Sequence, residues 1–214
     1  MNGNNNRIYY NIIDTVTNSP KKSVGVGQGI DLEGFGDCVS ENNEIFNNVI
    51  ANCDEAGIRV WVGDQVKKNN KIFNNIIYNC GKASVNGYSN CGLLVYNHDS
   101  IQGNTFRNNC IYNGGVLDNI SYRGNRLTAA QLNASRIFPE DVLSGNISNT
   151  PLFTDQANGD FRLDNTSACK NQGVKHSILS DYYGSAVPQD TNVDIGIYEI
   201  SVAAPKPPQN VGLE

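Results

Sequence analysis

No stretch of this chain approaches the roughly eighteen consecutive apolar residues that a membrane-spanning helix needs. The opening residues, MNGNNNRIYY, also lack the apolar core of a signal peptide. The sequence as given therefore carries no membrane span and no targeting signal. Basic charge is scarce too: 16 Lys and Arg stand against 21 Asp and Glu, for a net charge of −5. Without a basic stripe interleaved with aromatics, counterion-release binding to nucleic acid is disfavoured. There is no Ser/His/Asp spacing, no phosphate-cradling Gly loop and no EF-hand loop, and the six cysteines match no metal-binding spacing. The 214 residues suffice for one substantial domain. Both ends read as cut from something longer. An initiator Met directly precedes repeat-like sequence, and Leu213-Glu214 resembles a cloning remnant.

What the chain has in abundance is Asn, often in pairs: Asn5-Asn6, Asn42-Asn43, Asn47-Asn48, Asn69-Asn70, Asn74-Asn75 and Asn108-Asn109. Asn-rich composition alone suggests disorder, but here the pairs are phased with Ile, Val, Phe and Tyr. Four segments align without gaps: Asn6-Arg-Ile-Tyr-Tyr-Asn-Ile-Ile13, Asn43-Glu-Ile-Phe-Asn-Asn-Val-Ile50, Asn70-Lys-Ile-Phe-Asn-Asn-Ile-Ile77 and Asn104-Thr-Phe-Arg-Asn-Asn-Cys-Ile111. They give two Asn columns (6, 43, 70, 104 and 11, 48, 75, 109) and two apolar columns (8, 45, 72, 106 and 13, 50, 77, 111). A third Asn column holds Asn52, Asn79 and Asn113.

The repeats start 37, 27 and 34 residues apart, and Asn125-Arg126-Leu127 reads as the start of a fifth. Helical solenoids keep a fixed period. A parallel β-helix tolerates this irregularity, because each coil keeps its strands and lets its corners lengthen into loops. Equivalent strands would then pair from coil to coil, about 4.8 Å apart. Asn suits left-handed corners, and its amide can bond to its own copy in the next coil. β-Branched residues would fill the interior. The expectation is an all-β solenoid of about five coils.

A second strand recurs between these units, in Gly29-Ile-Asp-Leu-Glu-Gly34, Gly57-Ile-Arg-Val-Trp-Val62 and Gly92-Leu-Leu-Val-Tyr-Asn97. Alternation sends Ile30, Leu32, Ile58, Val60, Leu93 and Val95 inward. Two outward ladders remain: Asp31, Arg59, Leu94 and Glu33, Trp61, Tyr96. Residues 1–127 are read as repeat coils and 128–200 as a C-terminal coil or cap module of the same domain. Residues 201–214 form a Pro-rich tail, mobile or laid along the surface. Within the module, Thr128-Ala-Ala-Gln-Leu-Asn suits a short helix, Asn146 to Phe153 re-enters the stack, and Phe161-Arg-Leu suits a strand. Because an open coil end exposes backbone and interior, the first repeat should fray, lie under another molecule in self-association, or stack on further coils.

These residues resemble the pectate-lyase-like, right-handed parallel β-helix superfamily, whose polysaccharide lyases and glycoside hydrolases carry repeats like the Asn-x-Ile-Phe-x-Asn units. The run Pro151-Leu-Phe, Gly159-Asp-Phe-Arg-Leu163, Thr166-Ser-Ala and Val193-Asp-Ile-Gly-Ile-Tyr-Glu199 is similar to the C-terminal module of many bacterial members. The resemblance covers about residues 5 to 200 and implies a secreted or cell-surface protein with a polysaccharide partner. It carries no family-specific catalytic motif onto this chain. Lyase or hydrolase chemistry and non-catalytic polysaccharide binding or a structural role both stay open.

Trp61 and Tyr96 suit a platform for the C–H faces of sugar rings, or a small satellite core under a loop. Asp31 and Glu33 suit a general acid/base pair for hydrolysis, ~7 Å apart on one strand, although Asp31 beside Arg59 is more simply an ion pair. Asp64 and His98 lie past the strand ends, where loops could carry them towards substrate. Elimination would need a base among Arg59, Lys67 and Lys68, the last two also readable as a solvated corner. No resident cofactor or metal is required. Calcium could nevertheless find oxygens among Asp31, Glu33, Asp54, Glu55 and Asp64. Cys53 and Cys80 should stack one coil apart, and Cys110 falls in the column of Ile12, Val49 and Ile76. Cys38 and Cys91 lie in loops and could pair.

Overall fold

The computed structural model describes residues 3–18, 27–33, 39–61, 65–82, 90–116 and 119–201. The chain is all-β and its sheets are mostly parallel. The first sheet holds five parallel strands, Arg7–Tyr9, Glu44–Phe46, Lys71–Phe73, Thr105–Arg107 and Val142–Ser144. The second holds four, Ile12–Asp14, Val49–Ala51, Ile76–Tyr78 and Cys110–Tyr112. The third runs through Ile30–Leu32, Ile58–Val60, Leu93–Val95 and Ile120–Tyr122. The chain visits the three in turn and then returns to the first. This path is compatible with a β-helix.

Register follows the repeat alignment. Ile8 pairs with Ile45, Ile45 with Ile72, Ile72 with Phe106 and Phe106 with Leu143. In the second sheet Ile13, Ile50, Ile77 and Ile111 follow one another likewise. A one-residue slip would turn every one of these side chains out of the interior, so core packing enforces the alignment. These side chains join Leu32, Val60, Val95 and Tyr122 of the third sheet in one core.

Each Asn pair divides two tasks. The first residue takes the left-handed corner: Asn42, Asn47, Asn69, Asn74 and Asn108 have φ of 56°, 50°, 57°, 55° and 50°. Its neighbour builds the ladder. Asn6, Asn43 and Asn70 each donate Nδ2 to the Oδ1 of the next copy at 2.9–3.0 Å. In the second ladder Asn11, Asn48, Asn75 and Asn109 do the same, ending on Asn146. Each Oδ1 also accepts the backbone N–H of the preceding copy, as Asn75 Oδ1 does from Asn48 N at 3.2 Å. Buried polar groups are costly unless bonded, and these interior amides satisfy backbone that the tight corners leave unpaired.

The fifth repeat differs from the sequence expectation. Asn125–Leu127 folds back antiparallel on Ile120–Tyr122. The repeat lies instead at residues 141–146, where Asp141 takes the Asn position, Leu143 the apolar one, Gly145 (φ 69°) the corner and Asn146 the second ladder. Asp for Asn and Gly for the corner residue keep the chemistry but hide the likeness.

Both ladders end on built terminators. Helix Ala129–Ala134 starts at a Thr128/Gln131 capping box and buries Ala129 and Leu132 in the core. Its Asn133 Oδ1 accepts from Asn146 Nδ2 at 2.9 Å. Asp141 Oδ1 takes the N–H of Asn104 at 2.8 Å, while Oδ2 accepts from Tyr122 Oη at 2.7 Å and Arg123 Nη2 at 3.1 Å. At the opposite end, strands Arg7–Tyr9, Ile12–Asp14 and Ile30–Leu32 are sheet edges.

The C-terminal region covers a side of this stack. Phe153–Asp155 and Asp160–Leu163 form an antiparallel pair. Phe161, Leu163, Cys169, Ile195, Ile197 and Ile200 pack on the outward side of the second sheet against Val49, Ala51, Ile76, Tyr78 and Cys110. Ile147 bridges to Cys110, so this segment re-enters beside the second sheet. Corner residues act as hooks: Asn47 Nδ2 donates to Gly196 O at 2.6 Å, and Asn74 exchanges two 2.8 Å bonds with the Val174 backbone. Gly196 is required here, because it takes φ +106° and a Cβ would lie 2.6 Å from Ile76 Cδ1.

Candidate functional site

The outward side of the third sheet brings together five residues that sequence spacing singles out. Asp31 is registered against Arg59, and Arg59 against Leu94. Arg59 Nε and Nη2 meet the two Asp31 oxygens at 3.0 and 2.5 Å, and Nη2 reaches Glu33 Oε2 at 3.4 Å. The guanidinium also lies over the Trp61 ring, 4.9 Å from its centre. Arg59 is only 6% exposed, so its charge depends on these partners. Burial, together with the Asp31 charge, raises the Glu33 carboxyl above its ordinary value, against the pull of Arg59.

Trp61 and Tyr96 stand with ring centres 4.6 Å apart, inclined at 53°. They are half-buried on a pad of Ala56, Cys91 and Leu94. Platform and satellite core are therefore combined: one side of the pair packs, and part of it meets solvent. Next to Tyr96 a cavity of about 210 Å³ is lined by Leu94, Val95, Tyr96, Asn97, Ser121 and Gly124. Ser121 continues the Asp31–Arg59–Leu94 row into the following strand.

The remaining candidates behave differently. His98 is exposed, and its Nδ1 is engaged within its own turn by Ser100 Oγ at 2.9 Å and Ser100 N at 3.2 Å. Asp64 and Cys38 lie outside the described residues. Lys67 is not at a solvated corner: Lys67–Lys68 pairs as a strand with Ile101–Gln102, and the Lys67 side chain is buried with Nζ donating to Gln65 O at 2.5 Å. Sequence alternation misses this, because the two-residue strand is too short to show a period. Asp54 accepts the N–H of Asn18, and Glu55 accepts the amide of Gln28 while its charge also acts on Arg59. Among the described residues, no three or more His, Cys, Asp or Glu side chains converge as a metal site requires.

No family model, characterised protein or solved structure matches the chain. Among the described residues, no helix is long and apolar enough to cross a membrane.

A second concave site is only half legible in the sequence. The first sheet's outward row contains Tyr9, Phe46 and Phe73, whose rings stack at 5.1 and 4.9 Å. Beside it a groove of about 480 Å³ opens against Val174–His176. Alternation marks Glu44, Lys71 and Thr105 as outward, but the facing wall comes from a segment some hundred residues later. Elsewhere in the C-terminal region, Asp181, Asp194 and Glu199 are buried carboxylates that accept backbone N–H groups. Burial, then the neighbouring Asp194 charge, pushes the Glu199 carboxyl up to about 8.

Proposed function

We propose that the chain is a single-stranded, right-handed parallel β-helix of the pectate-lyase-like kind, and that it holds a polysaccharide against the outward side of its third sheet without cleaving it. The strong right-handed preference of parallel crossover connections supports the handedness. The observation that carries binding is the Trp61–Tyr96 pair, two partly exposed rings 4.6 Å apart beside a small polar-edged cavity. Aromatic faces match the C–H faces of pyranose rings, while Asn97 and Ser121 offer hydrogen bonds to hydroxyls.

The carboxylates argue against turnover. A hydrolase needs one carboxyl free to give a proton and the other free to attack or to activate water. Asp31 is instead held in a two-point contact by Arg59. A second reading, a hydrolase with Glu33 as acid, draws on the raised Glu33 carboxyl beside Asp31.

Affinity electrophoresis against a polysaccharide panel tests the first reading. Retention without new reducing ends or a rise in 235 nm absorbance, lost in Trp61→Ala, supports it. New reducing ends lost in Glu33→Gln support the second. Unchanged retention in Trp61→Ala rejects the ring pair as the binding surface.

A further inference from the structure

The groove between the first sheet and the Val174–His176 stretch has its own chemistry. Its floor is apolar, made by Phe73, Val142 and Val174, and its rim carries Lys71, Arg107 and Lys175. Among the described residues Glu44 is the one acid lining it, and that carboxylate is already shared between Arg7 at 3.0 Å and Lys71 at 3.1 Å. Arg107 donates Nε to Ser144 Oγ at 3.1 Å, which leaves both Nη groups without a carboxylate among the described residues. Lys175 is exposed and makes no ion pair or hydrogen bond among them. A chain of net charge −5 thus builds a locally cationic recess.

Both walls are held before any ligand arrives. Phe46 and Phe73 stack at 4.9 Å and 1°, with the His176 ring 5.2 Å from Phe46. Val174 is fixed through its N–H and its carbonyl by the Asn74 amide, each at 2.8 Å. His176 Nδ1 accepts from Ile178 N, which helps hold the ring in the same wall; its Nε2 is buried and has no partner among the described residues. A guanidinium fork favours a planar carboxylate over a point anion. An apolar floor of this size rewards a ligand with a body.

We propose that this groove binds a compact organic anion: a carboxylate carried on a ring that rests on Phe73 and Val142, gripped by Arg107 and Lys175. It shares no residue with the Trp61 site and stands or falls independently of it.

Amide-resolved NMR titration tests the proposal with benzoate and glucuronate as carboxylate probes, and benzyl alcohol, glucose and sulfate as controls. At least one carboxylate should shift the Arg107 and Val174–His176 amides; which one responds distinguishes an apolar from a hydroxylated ring. Lys175→Glu, at an exposed position, should weaken that binding about tenfold, the scale of one charge-assisted hydrogen bond. Arg107→Gln should do the same, and Trp61→Ala should leave it unchanged. The proposal is overturned if neither carboxylate shifts these amides. Equal responses to the neutral probes or to sulfate would also overturn it, as would full binding by a folded Lys175→Glu protein.

Discussion

Asn48 Nδ2 and Asn75 Oδ1 meet at 2.9 Å across 27 residues of sequence. The contact is one rung of a ladder in which Asn75 also donates to Ile45 O and Phe73 O and accepts the Asn48 N–H. Asn75→Leu keeps the branched outline but strands several of these buried groups. Each orphan costs about 1–3 kcal/mol, so urea denaturation should show a loss of roughly 2–5 kcal/mol. A loss under about 1 kcal/mol would mean that water replaces the amide, contrary to the buried ladder.

The corner residue of the preceding Asn69–Asn70 pair behaves oppositely. Asn69 is exposed at φ 57° and serves as a corner. Asn69→Gly should change stability by no more than about 0.5 kcal/mol, whereas Asn69→Val should cost ~1–2 kcal/mol, because a β-branched side chain resists left-handed geometry. Equal effects of the two substitutions in thermal melts would contradict the corner assignment.

Arg123 and Asp141 form an ion pair whose side chains are both 0% exposed. Removing one partner leaves the other charge buried, so Arg123→Ala should cost about 3–5 kcal/mol by chemical denaturation. Asp141→Ala should fall in the same range, and the double variant should cost less than the sum of the two.

Glu199 gives a pH signature of unusual sign. Its carboxyl is raised to about 8 when folded, so the folded state holds a proton that the unfolded state releases near the ordinary glutamate value. Stability from this group is therefore fully present below about pH 4.5 and is lost as pH rises through about 8. Asp194, raised mainly by burial, acts in the same direction. Thermal melts between pH 5 and 8.5 should show a smaller decline in Glu199→Gln than in the parent protein. Identical declines would remove Glu199 from the linkage.

The repeat made much of the fold legible. Each strand pairs with its own copies, so aligning Ile8, Ile45 and Ile72 in sequence is the same act as stacking them in space. The outward row Asp31–Arg59–Leu94 followed from strand alternation and is registered that way. Other features were hidden. Strands Val49–Ala51 and Ile76–Tyr78 are buried on both sides, and their unbroken apolar runs fit a doubly covered sheet, but nothing local names the cover. Asp141 escaped notice because an acid replaced the ladder amide.

From its sequence alone, the register of the first four repeats, their Asn corners and the inward side of their strands were determined, because each strand pairs with its own copy in the repeat. Tertiary structure decided which carboxylates Arg59 would hold, that Lys67 would be buried, and that Val174–His176 would wall a cationic groove. Those outcomes depend on long-range docking and on charge balance between segments that no repeat relates.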